Sequence, residues 1–173
     1  MNSAEVSQPS SPIVLEGRVA SLHLHPLDSK NALQTVQELE LVAGGGIRGD
    51  ARYFGRVSRS TGELTRRQVT LIEREQIAEH AATMRLKNIP PGAVRSNIET
   101  IGIELLSLLG RHVVIGGAIL HFYEPRTPCA KMDALCQGLR EAMKNNRQGV
   151  LAEIVQSGVI RVGDSIKQII LSK

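Results

Sequence analysis

Tryptophan is absent from the 173 residues, and phenylalanine and tyrosine occur only twice each. A packed core must therefore be assembled from Val, Ile, Leu and Ala. Cysteine is also scarce. Cys129 and Cys136 are too few for a disulfide framework, and their spacing matches no zinc motif. No run approaches the ~20 apolar residues of a membrane span. The N-terminal MNSAEVSQPSSP has neither the basic start nor the apolar stretch of a signal peptide. Together these absences predict a cytoplasmic protein with free thiols and no membrane contact. There is also no lysine between Arg48 and Arg67, although six arginines lie there (Arg48, Arg52, Arg56, Arg59, Arg66, Arg67) against two acids, Asp50 and Glu63.

The length suits one domain with a real core. Residues 1–12, polar and twice interrupted by proline, are expected to be a disordered tail, leaving 13–173 as the single domain. Ile13–His25 and Glu38–Val42 read as strands, the second ended by Gly44-Gly45-Gly46. A long basic loop follows to Thr65. Gln68–Leu71 then reads as a strand entering a helix, with Thr70 and Glu73 at capping-box spacing and an apolar face reaching about Leu86. Glu104–Leu109 forms one or two helical turns, and His112–Glu124 a hairpin or kinked strand around Gly116-Gly117. Asp133 is placed to cap a helix carrying Leu135, Leu139 and Met143. Val150–Gln156 and Ser165–Leu171 are the last strands. Many short strands with glycine turns and two or three short helices predict a mainly β, β-rich α+β domain with a barrel-like architecture.

Three groups of residues could carry chemistry. Cys129 lies in a proline loop between Arg126 and Lys131. A thiol is a nucleophile or sulfur carrier only as thiolate, which neighbouring cations favour. The competing reading is a buried cysteine acting as a small hydrophobe, and that reading suits Cys136, beside Leu135 on a helix. Arg95 and Asn97 alternate with Val94 and Ile98, so an extended segment would present a guanidinium and an amide on one face; an exposed turn is the alternative. The arginine segment Arg48–Arg67 is either a solvated loop or an anion site, because the guanidinium fork suits phosphate and carboxylate oxygens. Nucleic-acid binding is disfavoured, since Tyr53 and Phe54 make a thin stacking platform. His23 and His25 share a strand face, but two ligands without a third make a weak metal site.

In chain order, Gly46-Ile-Arg-Gly-Asp50, Arg67-Gln-Val-Thr-Leu-Ile72, Pro91-Gly92 with Arg95, Asn97 and Ile98, and Ile101-Gly-Ile103 form a series. It continues with Leu109-Gly110, Ile115-Gly116, Pro128-Cys129, Arg147-Gln-Gly-Val150 and Gly158-Val-Ile-Arg-Val-Gly-Asp164. The series resembles the MOSC domain, named for the C-terminal domain of molybdenum-cofactor sulfurases. The resemblance spans about residues 13 to 170. It implies a β-barrel, a cysteine at Cys129 that carries sulfur as a persulfide or ligates molybdenum, and binding of the molybdenum cofactor (molybdopterin). The implied cofactor-binding residues are Arg48, Asp50, Arg52, Arg95, Asn97, Lys131 and Arg147. Pyridoxal phosphate would belong only to a partner cysteine desulfurase that loads the sulfur, with a molybdoenzyme as the other expected partner. A molybdenum-dependent reductase of N-hydroxylated compounds is the enzymatic alternative. The pattern departs from the family at Arg52, where many relatives carry histidine.

Overall fold

A computed structural model describes residues 16–169. The expected tail over residues 1–12, the first residues of the expected Ile13 strand and the last of the Ser165–Leu171 strand lie outside the described residues.

Eleven strands and three short α-helices follow in order. They are β1 (Glu16–Leu24), β2 (Gln34–Val36), β3 (Glu38–Val42), β4 (Gly46–Ile47), β5 (Val69–Glu73), α1 (Arg74–Thr83), β6 (Ile98–Ile101), β7 (His112–Ile115) and β8 (Ala118–Pro125). Next come α2 (Lys131–Leu135), α3 (Leu139–Ala142), β9 (Val150–Gln156), β10 (Gly158–Arg161) and β11 (Ser165–Gln168). A 3₁₀ turn covers Leu105–Leu108. Strands run β11-β7-β8-β9-β5-β6-β1, and β1 pairs back onto β11, closing a seven-stranded barrel. A small second sheet, β10-β3-β4, stands apart from that ring. Closure removes the sheet edges that would otherwise template association. The one parallel pairing in the barrel is β5 with β6, and it requires the long crossover that α1 and the Pro90-Pro91 loop provide.

The barrel interior is aliphatic, as the composition demands. Leu22, Val69, Leu71, Ile98, Leu120, Ala152 and Ile166 fill it, with Phe122 the one aromatic ring in this core. A second core of Ile72, Ile77, Ile89, Val94, Met132, Leu139 and Met143 lies under the helices. Leu71 belongs to the first core and Ile72 to the second, so β5 is buried on both faces. That double burial explains why its sequence reads as a continuous apolar run rather than an alternation.

Four local expectations are corrected. Thr70 caps nothing: it sits inside β5, and the first turn of α1 has no side-chain cap at Glu73. The barrel pairing with β6 and β9 claims this segment one turn further than the capping spacing suggested. Helix α1 also ends at Thr83, because Arg85 takes a left-handed φ of 56°. The single helix expected over Asp133–Met143 is two, split at Gly138 with φ 90°. Asp133 does cap, but it caps the second helix, accepting the N–H groups of Gly138 and Arg140. Finally, β2, β4, β6 and β10 were not read as strands; each is too short to show a period of two.

Candidate functional site

The end of β1 passes His25 to the turn that follows β4. There Gly49 takes φ 84°, a conformation glycine adopts without steric penalty, and delivers Asp50 to the interior. Asp50 is buried and accepts five hydrogen bonds. Oδ2 accepts from the His25 backbone N–H (3.0 Å), His25 Nδ1 (2.8 Å) and Asn97 Nδ2 (2.8 Å); Oδ1 accepts from the N–H groups of Arg52 and Tyr53, both at 3.0 Å. Burial alone would raise its pKa. The His25 and Tyr53 donors outweigh it and hold the carboxyl below the usual range. Since Asp50 only accepts, His25 Nδ1 carries a proton, and Nε2 is left buried without a partner.

Asn97 is fully used as a scaffold. Its Oδ1 accepts from the Thr70 N–H and hydroxyl, and its Nδ2 donates to Asp50 and to the His23 carbonyl. Arg95 and Asn97 therefore do not share a presenting face. Arg95 takes φ 61°, which breaks the alternation an extended segment would have, and its guanidinium turns out to the Asn31 carbonyl at 2.9 Å.

Cations converge where these elements meet. A cleft of about 340 Å³ is lined by His25, Ala51, Arg52, Arg95 and Lys131 among others, and no carboxylate is in its wall. Tyr53 is buried beneath it. Its ring meets His25 edge-on at 5.3 Å, and the guanidiniums of Arg52 and Arg67 lie over it at 5.2 and 5.4 Å. Arg126 is buried and works as a strut, donating to Ser96 Oγ (2.7 Å) and the Arg95 carbonyl (3.1 Å), so it ties the cysteine loop to the Arg95 loop. Burial lowers its pKa to about 10, Arg67 and Arg52 acting in the same direction against the pull of Tyr53 and Cys129. Arg95 is also lowered, first by burial and then by Arg52, with the Cys129 charge opposing. Lys131 shifts down for the same reasons, and it donates to the Ser29 carbonyl at 2.6 Å. Arg95, Arg126 and Lys131 all lie near enough to half-buried Cys129 to interact with it electrostatically. The Nε atoms of Arg67, Arg95 and Arg126 are buried with no hydrogen-bond partner.

Two sequence-derived positions stay outside this cleft. Arg48 pairs with Glu40 at 2.9 Å on the surface, over the ring of Phe54. Arg147 pairs with Glu79 at 3.1 Å on α1. Asp50 and Asn97 lie directly beneath the cleft as its frame, whereas Arg52, Arg95 and Lys131 line it. Sequence reasoning took Arg126 only as a cation flanking Cys129, weighed Tyr53 only as a thin stacking platform and treated His25 only as half of a weak metal pair. The available signals were the buried-type aromatic inside an arginine run and a histidine ending a strand at Pro26. Cys136 is half-buried against the second core, at the end of α2 rather than within a helix.

The sequence profile of the MOSC domain matches residues 28–167. This chain belongs to the MOSC domain family. Solved structures agree in fold. The YuaD protein from Bacillus subtilis superposes with a TM-score of 0.75 at 20% identity, over 90% of this chain and 96% of that one. YiiM from Escherichia coli gives 0.65 at 17% identity, over 90% and 71%. YiiM from Geobacillus stearothermophilus gives 0.67 at 16%, over 89% and 75%. No curated protein matches the sequence significantly. The family is linked to molybdenum-cofactor-related function. The cleft that Arg52 lines also takes an imidazole from just past the end of β1, that of His25. Among the described residues no group of three or more His, Cys, Asp and Glu side chains is arranged to hold a metal ion, and no helix is long and apolar enough to cross a membrane.

Proposed function

We propose that this MOSC domain binds the molybdenum cofactor through its anionic portion and uses Cys129 as the sulfur-carrying or metal-ligating thiol. The observation that carries this reading is a cleft walled by Arg52, Arg95 and Lys131 with no carboxylate, beside the loop that carries Cys129 and its buried strut Arg126. The donor chemistry fits the group. Guanidiniums and an ammonium suit a phosphate, a soft thiolate suits molybdenum or sulfane sulfur, and three buried arginine Nε–H groups have no partner within the protein. The bound cofactor would supply a dithiolene-held metal able to take one further sulfur ligand.

The chain's own residues do the rest. Arg52, Arg95 and Lys131 hold the anion. Arg126 fixes the distance between the cysteine loop and the Arg95 loop. Asp50 locks the tautomer of His25, so that Nε2 is held as a proton acceptor in the cleft wall. Sulfur reaches Cys129 from a partner cysteine desulfurase: the Cys129 thiolate attacks the donor's outer persulfide sulfur, and the donor cysteine leaves as thiolate. Oxidation state is conserved.

The test is production in a host that makes the cofactor, followed by assay of bound molybdenum and of pterin fluorescence after oxidation. Both are expected to copurify with the wild-type chain and to be lost in Arg52→Gln/Arg95→Gln. Cys129→Ser keeps pterin and fails to gain sulfur from a desulfurase and cysteine, read by intact mass. No pterin on the wild-type chain, or equal amounts on the double variant, would overturn the reading.

A further inference from the structure

The loop that carries Cys129 borders a second cleft. Lys131 lines the cleft described above, while Arg126, Thr127 and Pro128 line another of about 300 Å³, completed by Arg140, Lys144, Asn145 and Asn146. Cys129 therefore stands between the segments that wall the two. The second wall also contains no carboxylate. Its nearby acid, Glu141, is an exposed partner of Lys144, a pairing that leaves the cation available to a ligand.

The donors of this wall are exposed and open to a ligand. The N–H groups and carboxamides of Asn145 and Asn146, the guanidinium of Arg140 and the hydroxyl of Thr127 have no hydrogen-bond partner among the described residues. Asn145 and Asn146 both adopt left-handed backbone, at φ 59° and 65°. Two successive non-glycine residues in this region are unusual, although asparagine enters it more readily than most. Gln148, two residues on, is wholly buried with neither amide atom paired. A merely solvated basic loop explains the exposed donors. It does not explain two successive left-handed residues and an unsatisfied buried amide, Gln148, in the turn beside the cysteine loop.

We propose that this second cleft is an oxyanion subsite, holding the carboxylate or phosphate end of a small molecule whose other end meets Cys129, while the first cleft keeps the cofactor. The proposal rests on Cys129 being the reactive thiol. It makes the thiol the meeting point of two anionic ligands that enter from two walls.

The test compares two alkylating reagents on a Cys136→Ser background, where Cys129 is the one remaining thiol. In both, the Cys129 thiolate attacks the methylene carbon and iodide leaves, but iodoacetate is an anion and iodoacetamide is neutral. In Arg140→Gln/Lys144→Gln the iodoacetate-to-iodoacetamide rate ratio at low salt is expected to fall roughly three- to tenfold, with the iodoacetamide rate unchanged within about twofold. In parallel, inorganic phosphate or succinate is titrated while the Asn145 and Asn146 amide resonances are followed. Saturable shifts with one anion identify which end the subsite takes, and they vanish in the double variant. An unchanged rate ratio, or no shift with either anion, overturns the subsite. Inertness of Cys129 to both reagents would instead overturn the reading of Cys129, and the amide shifts would then decide the subsite alone.

Discussion

His23 on β1 and His25 just past its end face buried carboxylates, and they do so in opposite ways. His23 Nε2 donates to Ser21 Oγ at 3.0 Å, Ser21 passes its own proton to Glu99 Oε2 at 3.1 Å, and the Thr35 hydroxyl lies 3.3 Å from Nδ1. Glu99 also accepts from Arg74 and from the Gly92 N–H. Every polar atom of that ring is matched. Gly92 is needed there, at φ 80°, because a Cβ would meet the His23 ring at 2.9 Å. His25 instead donates from Nδ1 to Asp50 and has no partner at Nε2. The lesson is that burial and a nearby carboxylate do not distinguish structure from function. The matched ring builds the wall that supports the Arg95 loop, and the unmatched ring, itself buried, borders the cleft.

The largest test of this contrast is Asp50→Ala. It strands five donors, including three backbone N–H groups, and is expected to cost about 3–5 kcal/mol in denaturant unfolding, with loss of pterin binding. A cost under about 1 kcal/mol would show that the frame is not built on Asp50. Glu99→Gln should cost about 1.5–3 kcal/mol, since it weakens charged hydrogen bonds from partly exposed Arg74 and from Ser21. Its effect on binding should be indirect, through the Arg95 loop, and a binding loss without a stability loss would blur the division.

The pH dependence sharpens the same division. Burial, partly offset by Glu99, holds His23 below its usual value, and burial does the same to His80. Groups depressed in the folded state bind protons more readily when unfolded, so their stability is complete above about pH 6.5 and declines as pH falls below it. Asp50 is depressed too, so its share is present above about pH 4 and lost only below that. Melting temperature is therefore expected to fall in two stages on acidification. The double variant His23→Asn/His80→Asn should flatten the upper stage alone, and a single transition near pH 4 in the wild type would contradict it.

The smallest stability effect and the most specific functional one belong to His25→Asn. The amide can still donate to Asp50, so the cost should be about 1 kcal/mol, while loss of the Nε2 acceptor slows sulfur transfer from Cys129 by roughly 10²-fold. His23→Asn should leave that rate unchanged. Equal rates in the two variants would erase the distinction.

Much of this was legible beforehand. Strand β9 has the bounds read from the sequence, β3 likewise, and the aliphatic composition foretold the core. The hairpin at Gly116-Gly117 and the glycine turn at Gly44–Gly46 were visible because turns are local. Short strands such as β6 were not, since four residues carry no period and their identity comes from pairing. The site was half legible. Cys129 with its flanking cations could be picked out, and so could Arg52 and Arg95. Which of the arginines would converge could not, because Arg48 and Arg147 have the same chemistry and differ only in finding a glutamate nearby.

The sequence by itself determined the aliphatic core, the free thiols, the alternation that closes into strands and the excess of arginine, because these depend on composition and near neighbours. Only the tertiary structure decided that Asn97 would be consumed as a frame while Arg95 turned outward. It also decided that His25 would leave one nitrogen unmatched, and that Arg126 would be buried as a strut between two loops. Those outcomes depend on which donors and acceptors meet across 25 to 74 residues of chain, and the closing of the barrel fixes that.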